Sequence, residues 1–235
     1  MASEFTRRRF LGTTGTAVAA GAAFSAASAE SAEITQVKPI KIVGVCCSPR
    51  KGKTTAASLA VCLKAAEAVD ERVESELIEL AGMQIDGSLA AGLPLEPGRQ
   101  DDFPKLVPKL SDPKVAGIIV GTPVYFGNMT SLCKAFLDRC IVFRKNKFAL
   151  ANKIAGVLAV GGCRNGGQEL TIQSVQVALM CQEMIIVGDG RPTGHCGATV
   201  FNSGKGEITD DEFGMVTVRN LGRHVAEVAL QMAGG

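Results

Sequence analysis

The chain has 235 residues, with 25 Lys and Arg against 23 Asp and Glu, so its net charge is close to neutral. This length favours one domain with a single core, and the charge balance gives no indication of a nucleic-acid partner. The 27 glycines, with one Tyr and no Trp, favour strands joined by tight turns and loops that hold a ligand through the backbone.

The N-terminus has the three-part pattern of an export signal. The segment TRRRFL (residues 6–11) precedes a weakly apolar run to Ala27, and the small-x-small sequence ASA (27–29) ends it. The run is too short and too polar for a membrane anchor, which needs roughly 20 strongly apolar residues. It resembles a twin-arginine signal. Such a signal directs a protein to an export pathway that carries folded proteins, including those that bind a cofactor before export. We expect residues 1–29 to be this signal, 30–38 a linker, and 39–235 one domain that is periplasmic or otherwise exported by the twin-arginine pathway.

From residue 39 the hydrophobic pattern alternates between strands and helices. The run Val115–Gly121 is continuously apolar, as in a strand that is buried on both faces of a parallel sheet. Apolar residues recur at helical spacing at Leu59, Leu63 and Ala66. We predict strands at 41–45, 73–80, 115–121, 154–160 and 184–187, helices at 54–69, 129–142 and 170–181, and a last helix that starts at a capping box, Thr209–Glu212. This order predicts an α/β fold with a doubly wound five-stranded parallel sheet in three α/β/α layers.

Ligands bind such sheets at the carboxyl ends of the strands, near the point where strand order reverses. The first loop, CCSPRKGKTT (46–55), joins a strand to a helix N-terminus and carries hydroxyls and cations, which together favour a phosphate. A capped turn is the simpler alternative. Its end, Gly52-Lys53-Thr54, also matches part of a nucleotide-binding P-loop, but Cys47 stands where that motif requires glycine.

Two further loops complete the predicted site. The third loop, GTPVYFGNM (121–129), places an aromatic pair beside proline, glycine and an amide, which suits a flat ring with a polar edge. The fourth loop, GGCRNGGQE (161–169), has glycines that allow close backbone approach, and Arg164 and Gln168 add hydrogen-bond donors. Taken alone, the third loop is equally compatible with an ordinary turn that has Tyr125 and Phe126 folded inward, and the fourth loop is weak evidence for a ligand.

Together, the motifs SPRxG after the first strand, GxPxYFG after the third and GGxRNGGQE after the fourth resemble the NADPH-dependent FMN reductase and iron–sulfur flavoprotein branch of the flavodoxin-like superfamily. The resemblance covers about Pro39 to Val187 and implies a flavodoxin-like fold with FMN as cofactor. It implies that the phosphate is held by Ser48, Arg50, Lys53, Thr54 and Thr55, and that the isoalloxazine ring is lined by Pro123, Val124, Tyr125, Phe126, Gly127, Asn128, Gly162, Cys163, Arg164, Gly166, Gly167 and Gln168.

Two departures from the family pattern affect this interpretation. Cys47 replaces a frequent glycine, which would either tighten the turn or place a thiol near the phosphate. The chain also has no cysteine between Cys62 and Cys133, where iron–sulfur members carry their cluster ligands. We therefore expect no iron–sulfur cluster. Cys62, Cys133, Cys140 and Cys181 fall in apolar stretches and are predicted to be buried.

Other residues that could carry chemistry have simpler structural explanations. His195-Cys196 and His224 lack a matching acidic cluster, so we predict no metal site. His224 lies beside the apolar stripe of the last helix and is predicted to be structural. Asp138-Arg139 is predicted to be a local ion pair.

The predicted function is that of an exported FMN-dependent oxidoreductase, which passes electrons through flavin N5 to a small quinone-like or other acceptor. Its electrons would come from a quinol or a donor protein, and Tyr125 and Arg164 are the candidates for contacting substrate. The alternatives are an NAD(P)H-dependent FMN or quinone reductase, a non-enzymatic electron carrier of flavodoxin type, and a flavin-free binding protein. The resemblance also implies a homodimer or homotetramer that completes the flavin pocket.

Overall fold

The computed structural model describes residues 38–202 and 210–234. Strands and helices alternate along this part of the chain, with two short 3-10 turns between the second and third strands. The strands are β1 (Ile40–Cys46), β2 (Val73–Glu79), β3 (Val115–Pro123), β4 (Ile154–Gly161), β5 (Ile185–Ile186) and β6 (Ala198–Phe201), and the helices are α1 (Thr54–Glu67), α2 (Val107–Ser111), α3 (Ser131–Arg139), α4 (Ile141–Lys145), α5 (Gln168–Met180) and α6 (Glu212–Ala233).

The strands form one parallel sheet in the order β2-β1-β3-β4-β5, with β6 also paired to β4. The order reverses between β1 and β3, because the chain runs outward to β2 on one side and to β4 on the other. The first and third loops leave these two strands, so they lie on either side of the switch point. The predicted doubly wound, flavodoxin-like α/β fold is confirmed.

Two apolar clusters pack on opposite faces of the sheet. One cluster joins Ile118 and Val120 of β3 to α3 and α5, and the other joins Ile119 of the same strand to α1 and α6. This alternation explains the continuous apolar run in β3, which is buried on both faces. Helices α1 and α6 approach closely at Gly222, where a Cβ atom would overlap the carbonyl oxygen of Cys62.

The fifth position of the sheet differs from the prediction of one strand at 184–187. It is filled in two pieces, because β5 pairs with the start of β4 and β6 pairs with its end. The segment between them, VGDGRPTGHCG (187–197), is too rich in Gly and Pro to continue the hydrogen-bonded ladder. We call this segment the 187–197 loop.

Two helix predictions also need correction. The predicted helix at 129–142 is two helices, since α3 starts where Thr130 Oγ1 accepts a hydrogen bond from Cys133 N–H and ends before Cys140. Helix α6 is capped by Asp211, whose carboxylate accepts from Gly214 N–H. The predicted cap, Thr209, lies outside the described residues.

Three smaller expectations are also affected by tertiary packing. Cys181 is exposed and not buried, because it lies at the solvent-facing end of α5. Arg139 does not pair with Asp138 but reaches Asp101, while Asp138 pairs with Lys134 one helical turn earlier. The expected signal and linker fall within residues 1–37 and lie outside the described residues. No helix within 38–202 or 210–234 is long and apolar enough to cross a membrane.

Candidate functional site

The first loop combines a tight turn with a helix start that has no side-chain cap. Ser48 Oγ accepts a hydrogen bond from Arg50 N–H at 3.2 Å, and Gly52 takes a positive φ of 63°. Among the described residues no side chain caps α1, whose N-cap is Lys53, so the amides of its first turn remain available. These amides and the positive end of the helix dipole favour an anion at this position.

Glu79, at the end of β2, contacts the first loop and was missed by the sequence analysis. Its Oε2 accepts a hydrogen bond from Gly52 N–H at 2.7 Å and so fixes the turn of the first loop. No local pattern marks this contact, because it joins the end of β2 to the loop that follows β1, and the two become neighbours only through the pairing of β1 with β2.

The third loop forms a tight reversal beyond β3. Tyr125 and Asn128 exchange two backbone hydrogen bonds, of 2.8 and 3.1 Å, and Phe126 between them has a φ of 51° and a fully exposed side chain. Val124 N–H donates to the carbonyl of Val160 at 2.8 Å, which ties the loop to β4. The exposed ring of Phe126 therefore points away from the core, whereas Tyr125 is half-exposed beside the cleft.

The fourth loop contacts the third loop through backbone. Gly167 has a φ of 98°, and a Cβ atom there would lie 2.9 Å from Gly127 Cα, so a glycine is required at this approach. Gln168 Nε2 donates to the carbonyl of Cys163 at 2.8 Å, which closes the fourth loop on itself. The side-chain amide of Gln168 therefore donates its hydrogen bond to the protein backbone.

These loops enclose a cavity of about 670 Å³ at the carboxyl end of the sheet. Eight of the residues predicted to bind FMN line it together: Arg50, Lys53, Thr54, Thr55, Pro123, Val124, Tyr125 and Gly162. The lining also includes Gly52, Ala57, Val160, Gly161 and Asn202. Asn202 was missed because it follows β6, the strand that the sequence analysis did not predict.

The other predicted residues lie elsewhere. Ser48 is buried beneath the first loop. Arg164, Gly167 and Gln168 line a separate cavity of about 510 Å³, which has the fourth loop as one of its walls. Neither cavity has Phe126, Gly127, Asn128, Cys163 or Gly166 among its described lining residues.

Arg164 is directed to the second cavity by two contacts. Its Nη2 donates to Asp211 Oδ1 at 2.7 Å, and its guanidinium lies 5.7 Å above the ring of Phe201. Burial acts to raise the pKa of Asp211, but hydrogen bonds from the amides of Phe201 and Gly214 and from Arg164 lower it below the usual value. Asp211 is therefore a buried, ionised carboxylate whose hydrogen bonds connect β6, α6 and the fourth loop.

Cys47 does not place a reactive thiol at the phosphate site. Its side chain is buried in the apolar cluster that includes Cys133, and its carbonyl accepts from Thr130 Oγ1 at 2.8 Å. Burial raises the pKa of Cys47 well above its usual value, and burial raises that of Cys46 to about 11. Both side chains are neutral thiols at physiological pH, so neither is an activated nucleophile.

The composition of the first cavity fits FMN. Cations, hydroxyls and free amides gather at the end formed by Arg50, Lys53 and Thr54, which suits a phosphate monoester. The opposite end has Pro123, Val124 and Tyr125 for packing against a flat ring, with the glycine backbone of the fourth loop at its edge. The volume lies within the range of small-molecule sites.

Comparisons with known proteins agree with this geometry. The chain is 37% identical over 192 residues to an iron–sulfur flavoprotein of Methanocaldococcus jannaschii, covering 80% of this chain and 97% of that one. It is 33% identical to an iron–sulfur flavoprotein of Methanosarcina thermophila, covering 80% and 95%. It is 31% identical to an NAD(P)H dehydrogenase (quinone) of Chromohalobacter salexigens, covering 66% and 86%.

Solved structures with low sequence identity share the fold. An apo NADH:FMN oxidoreductase, EmoB, superposes with a TM-score of 0.58 at 21% identity, covering 80% of this chain and 89% of that one. A flavodoxin-type WrbA-like protein from Agrobacterium tumefaciens gives 0.57 at 19% identity, covering 82% and 98%. The model of the NADPH-dependent FMN reductase family matches residues 40–197, and the chain belongs to that family.

Proposed function

We propose that the protein is an FMN-dependent oxidoreductase that passes electrons from a reduced donor to a small quinone-like acceptor. Its family supports flavin-dependent redox chemistry and FMN as the cofactor. The observation that carries the proposal is the first cavity, in which a cationic end and an apolar end lie on either side of the topological switch point.

The residues of this cavity have distinct roles in binding. Arg50 and Lys53 supply positive charge, and the first turn of α1 supplies amide donors, so this end holds the phosphate. Tyr125 and Pro123 line the other end, where they would pack against the ring of bound FMN and keep water from one part of it. Bound FMN would supply the electron-transfer chemistry, while the protein orients it and sets the electrostatics.

The proposal has two forms, which differ in the electron donor. The relative named NAD(P)H dehydrogenase (quinone) and the family description favour a nicotinamide donor. An exported protein would instead take electrons from a quinol or a donor protein, because nicotinamide cofactors are cytoplasmic. A flavodoxin-type carrier is the non-enzymatic alternative, and it would show no turnover with a small acceptor.

The first experiment is the visible spectrum of the purified full-length chain, followed by heat release and chromatographic identification of the chromophore. Oxidised-flavin bands and free FMN are expected. Anaerobic mixing with NADPH or NADH, and then with a water-soluble quinone, separates a nicotinamide-dependent reductase from the other forms. A colourless protein that also fails to take up added FMN would refute the proposal.

Two lysines in the first loop provide a matched pair of variants. Lys53 lines the cavity, whereas Lys51 is exposed and absent from its lining. We expect Lys53→Ala to weaken FMN binding at least tenfold, as a hydrogen bond to a charged group contributes about 1.5–3 kcal/mol. Lys51→Ala should leave the affinity near that of the wild type. Riboflavin, which lacks the phosphate, should bind both variants equally.

The similarity to iron–sulfur flavoproteins does not include an iron–sulfur cluster in this chain. The sequence between Cys62 and Cys133 has no cysteine, and cluster ligation in proteins relies on thiolates. We therefore propose that FMN is the sole redox group and that no metal is bound. Iron and sulfide analysis of the purified protein tests this, and one cluster equivalent per chain would contradict it.

Export is part of the same proposal. The sequence TRRRFL at residues 6–11 supports twin-arginine targeting to the periplasm. Replacing Arg7 and Arg8 by lysine should keep the protein in the cytoplasm, whereas Arg9→Lys should not. Fractionation of cells that express the wild type or either variant measures this, and equal periplasmic amounts of the wild type and both variants would refute targeting by the arginine pair.

Self-association is a further proposal that rests on the family resemblance. We propose a homodimer or homotetramer that completes the flavin pocket, and no nucleic-acid partner. Sedimentation with and without FMN tests the oligomer. A monomer that turns over at full rate would contradict the proposed completion of the pocket.

A further inference from the structure

The first and third loops leave neighbouring strands and diverge where the sheet ends. The pairing of β1 with β3 ends at Cys46 and Gly121, and one more backbone bond follows, from Cys47 N–H to the carbonyl of Gly121 at 2.8 Å. Beyond it, the first loop runs to the cationic end of the first cavity, whereas the third loop runs through Pro123 to the apolar end. The spacing of the two ends therefore depends on contacts beyond the ladder.

Thr130, which follows the third loop, makes such a contact. Its Oγ1 donates to the carbonyl of Cys47 at 2.8 Å and accepts from Cys133 N–H at 3.1 Å. Its own N–H donates to Thr122 Oγ1 at 3.3 Å, and that hydroxyl donates to the carbonyl of Pro123 at 3.0 Å. Thr130 thus connects the first loop, the start of α3 and the lining of the apolar end.

The bond to Cys47 controls the direction of the first loop. The carbonyl of Cys47 and the N–H of Ser48 belong to one planar peptide unit, so a fixed carbonyl fixes the direction in which the chain leaves β1. Thr130 is 2% exposed and Cys47 is fully buried, so water does not compete for the bond. Arg50 and Lys53, the cations that line the first cavity, follow in the same loop.

The capping of α3 does not by itself explain why a hydroxyl stands at this position. A helix cap needs only the acceptor of the hydroxyl, which Cys133 N–H uses. Aspartate is an equally favoured cap and has no donor when it is ionised. The donor of Thr130 therefore has a second role, which is to hold the first loop.

FMN would occupy both ends of the first cavity at once. With the ring bound at the apolar end, binding of the phosphate is intramolecular, and its strength depends on how well the ligand matches the spacing of the two ends. A spacing that is fixed in advance also removes the cost of ordering the loop on binding. Riboflavin lacks the phosphate, so its affinity does not include these contributions.

We propose that Thr130 is a positioning residue that makes the site select FMN over riboflavin. It acts through Cys47, by holding the first loop at the distance from the third loop that the phosphate requires. This inference rests on the proposed function, because it needs a flavin in the first cavity. It extends that function by assigning the cofactor selectivity to a residue that does not line the cavity.

The test is the ratio of the dissociation constants of riboflavin and FMN, measured by flavin fluorescence quenching on the full-length chain without bound flavin. Thr130→Val keeps the size and branching of the side chain but removes the hydroxyl. It should lower the ratio about fivefold, the factor that a typical net hydrogen-bond contribution supplies, and leave the riboflavin affinity unchanged. Thr130→Ser, which keeps the hydroxyl, should retain the wild-type ratio.

Two comparisons separate positioning from a general loss of stability. Val115→Ala truncates a buried side chain at the opposite end of β3, so it should lower the unfolding free energy without changing the ratio. In a chain that already carries Lys53→Ala, Thr130→Val should weaken FMN binding less than it does in the wild type, because both substitutions act on the phosphate.

The wild-type chain provides a test that needs no variant. The amides of Cys47 and Arg50 have acceptors in the structure without flavin, so their hydrogen exchange should already be slow before FMN is added. Fast exchange that becomes slow only when FMN binds would show that the first loop is not positioned in advance, and it would overturn the inference.

Three further results would also overturn it. An unchanged ratio in Thr130→Val, or an equal loss of affinity for both flavins, would assign Thr130 to the cap of α3 alone. A lower ratio in Val115→Ala would assign the effect to stability. Each of these leaves FMN binding by the wild type intact, whereas a wild-type chain that binds neither flavin would overturn the proposed function itself.

Discussion

Replacement of Asp211 by alanine should destabilise the protein by about 3 kcal/mol. The loss of the α6 cap costs roughly 1 kcal/mol. A further ~1–3 kcal/mol comes from the Phe201 amide, which donates to Asp211 Oδ2 at 2.7 Å and would be left without an acceptor. The Arg164 ion pair adds little, because its guanidinium is more than half exposed and such pairs contribute about 0–1 kcal/mol.

The assay is urea unfolding of FMN-free protein, followed by far-ultraviolet circular dichroism, for the wild type, Asp211→Ala and Arg164→Ala. Arg164→Ala should lose less than about 1 kcal/mol, because it leaves the two backbone amides with their acceptor. Equal destabilisation by the two variants would refute this reasoning, since it would assign the stability to the ion pair and not to the amides.

The pH dependence gives a second check on Asp211. Its pKa is lower in the folded protein than in the unfolded chain, so the carboxylate contributes stability above the usual Asp pKa of about 4. That contribution is lost as the pH falls toward the lower, folded-state pKa. The difference in unfolding free energy between wild type and Asp211→Ala should therefore shrink below about pH 4 and stay constant between pH 6 and 8.

Two further predictions concern buried and loop charges. Glu79→Gln keeps an acceptor for Gly52 N–H but removes a negative charge beside the phosphate site, so FMN should bind about threefold tighter and riboflavin should be unaffected. Asp101→Ala should cost about 2–3 kcal/mol, somewhat below the cost of a fully buried pair, because it leaves the largely buried Arg139 guanidinium unpaired. Asp138→Ala, at the exposed neighbour of Arg139, should cost less than about 0.5 kcal/mol.

Titration with FMN and with riboflavin, followed by flavin fluorescence quenching, measures the affinities of Glu79→Gln. Urea unfolding measures the stabilities of Asp101→Ala and Asp138→Ala. Weaker FMN binding by Glu79→Gln would show that the charge of Glu79 orders the loop and does not oppose the phosphate. Similar stability losses for Asp101→Ala and Asp138→Ala would contradict the assignment of the Arg139 ion pair to Asp101.

The sequence alone was sufficient to predict the alternation of strands and helices and three loops at the carboxyl ends of the strands. These features depend on local periodicity and turn chemistry, so apolar runs such as Val115–Gly121 identify them without knowledge of the fold. The grouping of three predicted residues in the first cavity was predictable for the same reason. Arg50, Lys53 and Thr54 are neighbours in sequence, and a loop before a helix brings them together wherever that helix packs.

Only the tertiary structure decided the contacts between distant segments. The acceptor of Gly52 N–H lies 27 residues away in Glu79, and the partner of Arg164 lies 47 residues away in Asp211. Such pairs depend on which strands become neighbours in the sheet, and local patterns carry no information about that order. The 187–197 loop was missed for a related reason. Its Gly and Pro content predicts a turn, but the return of the chain as β6 beside β4 depends on pairing with a strand about 40 residues earlier.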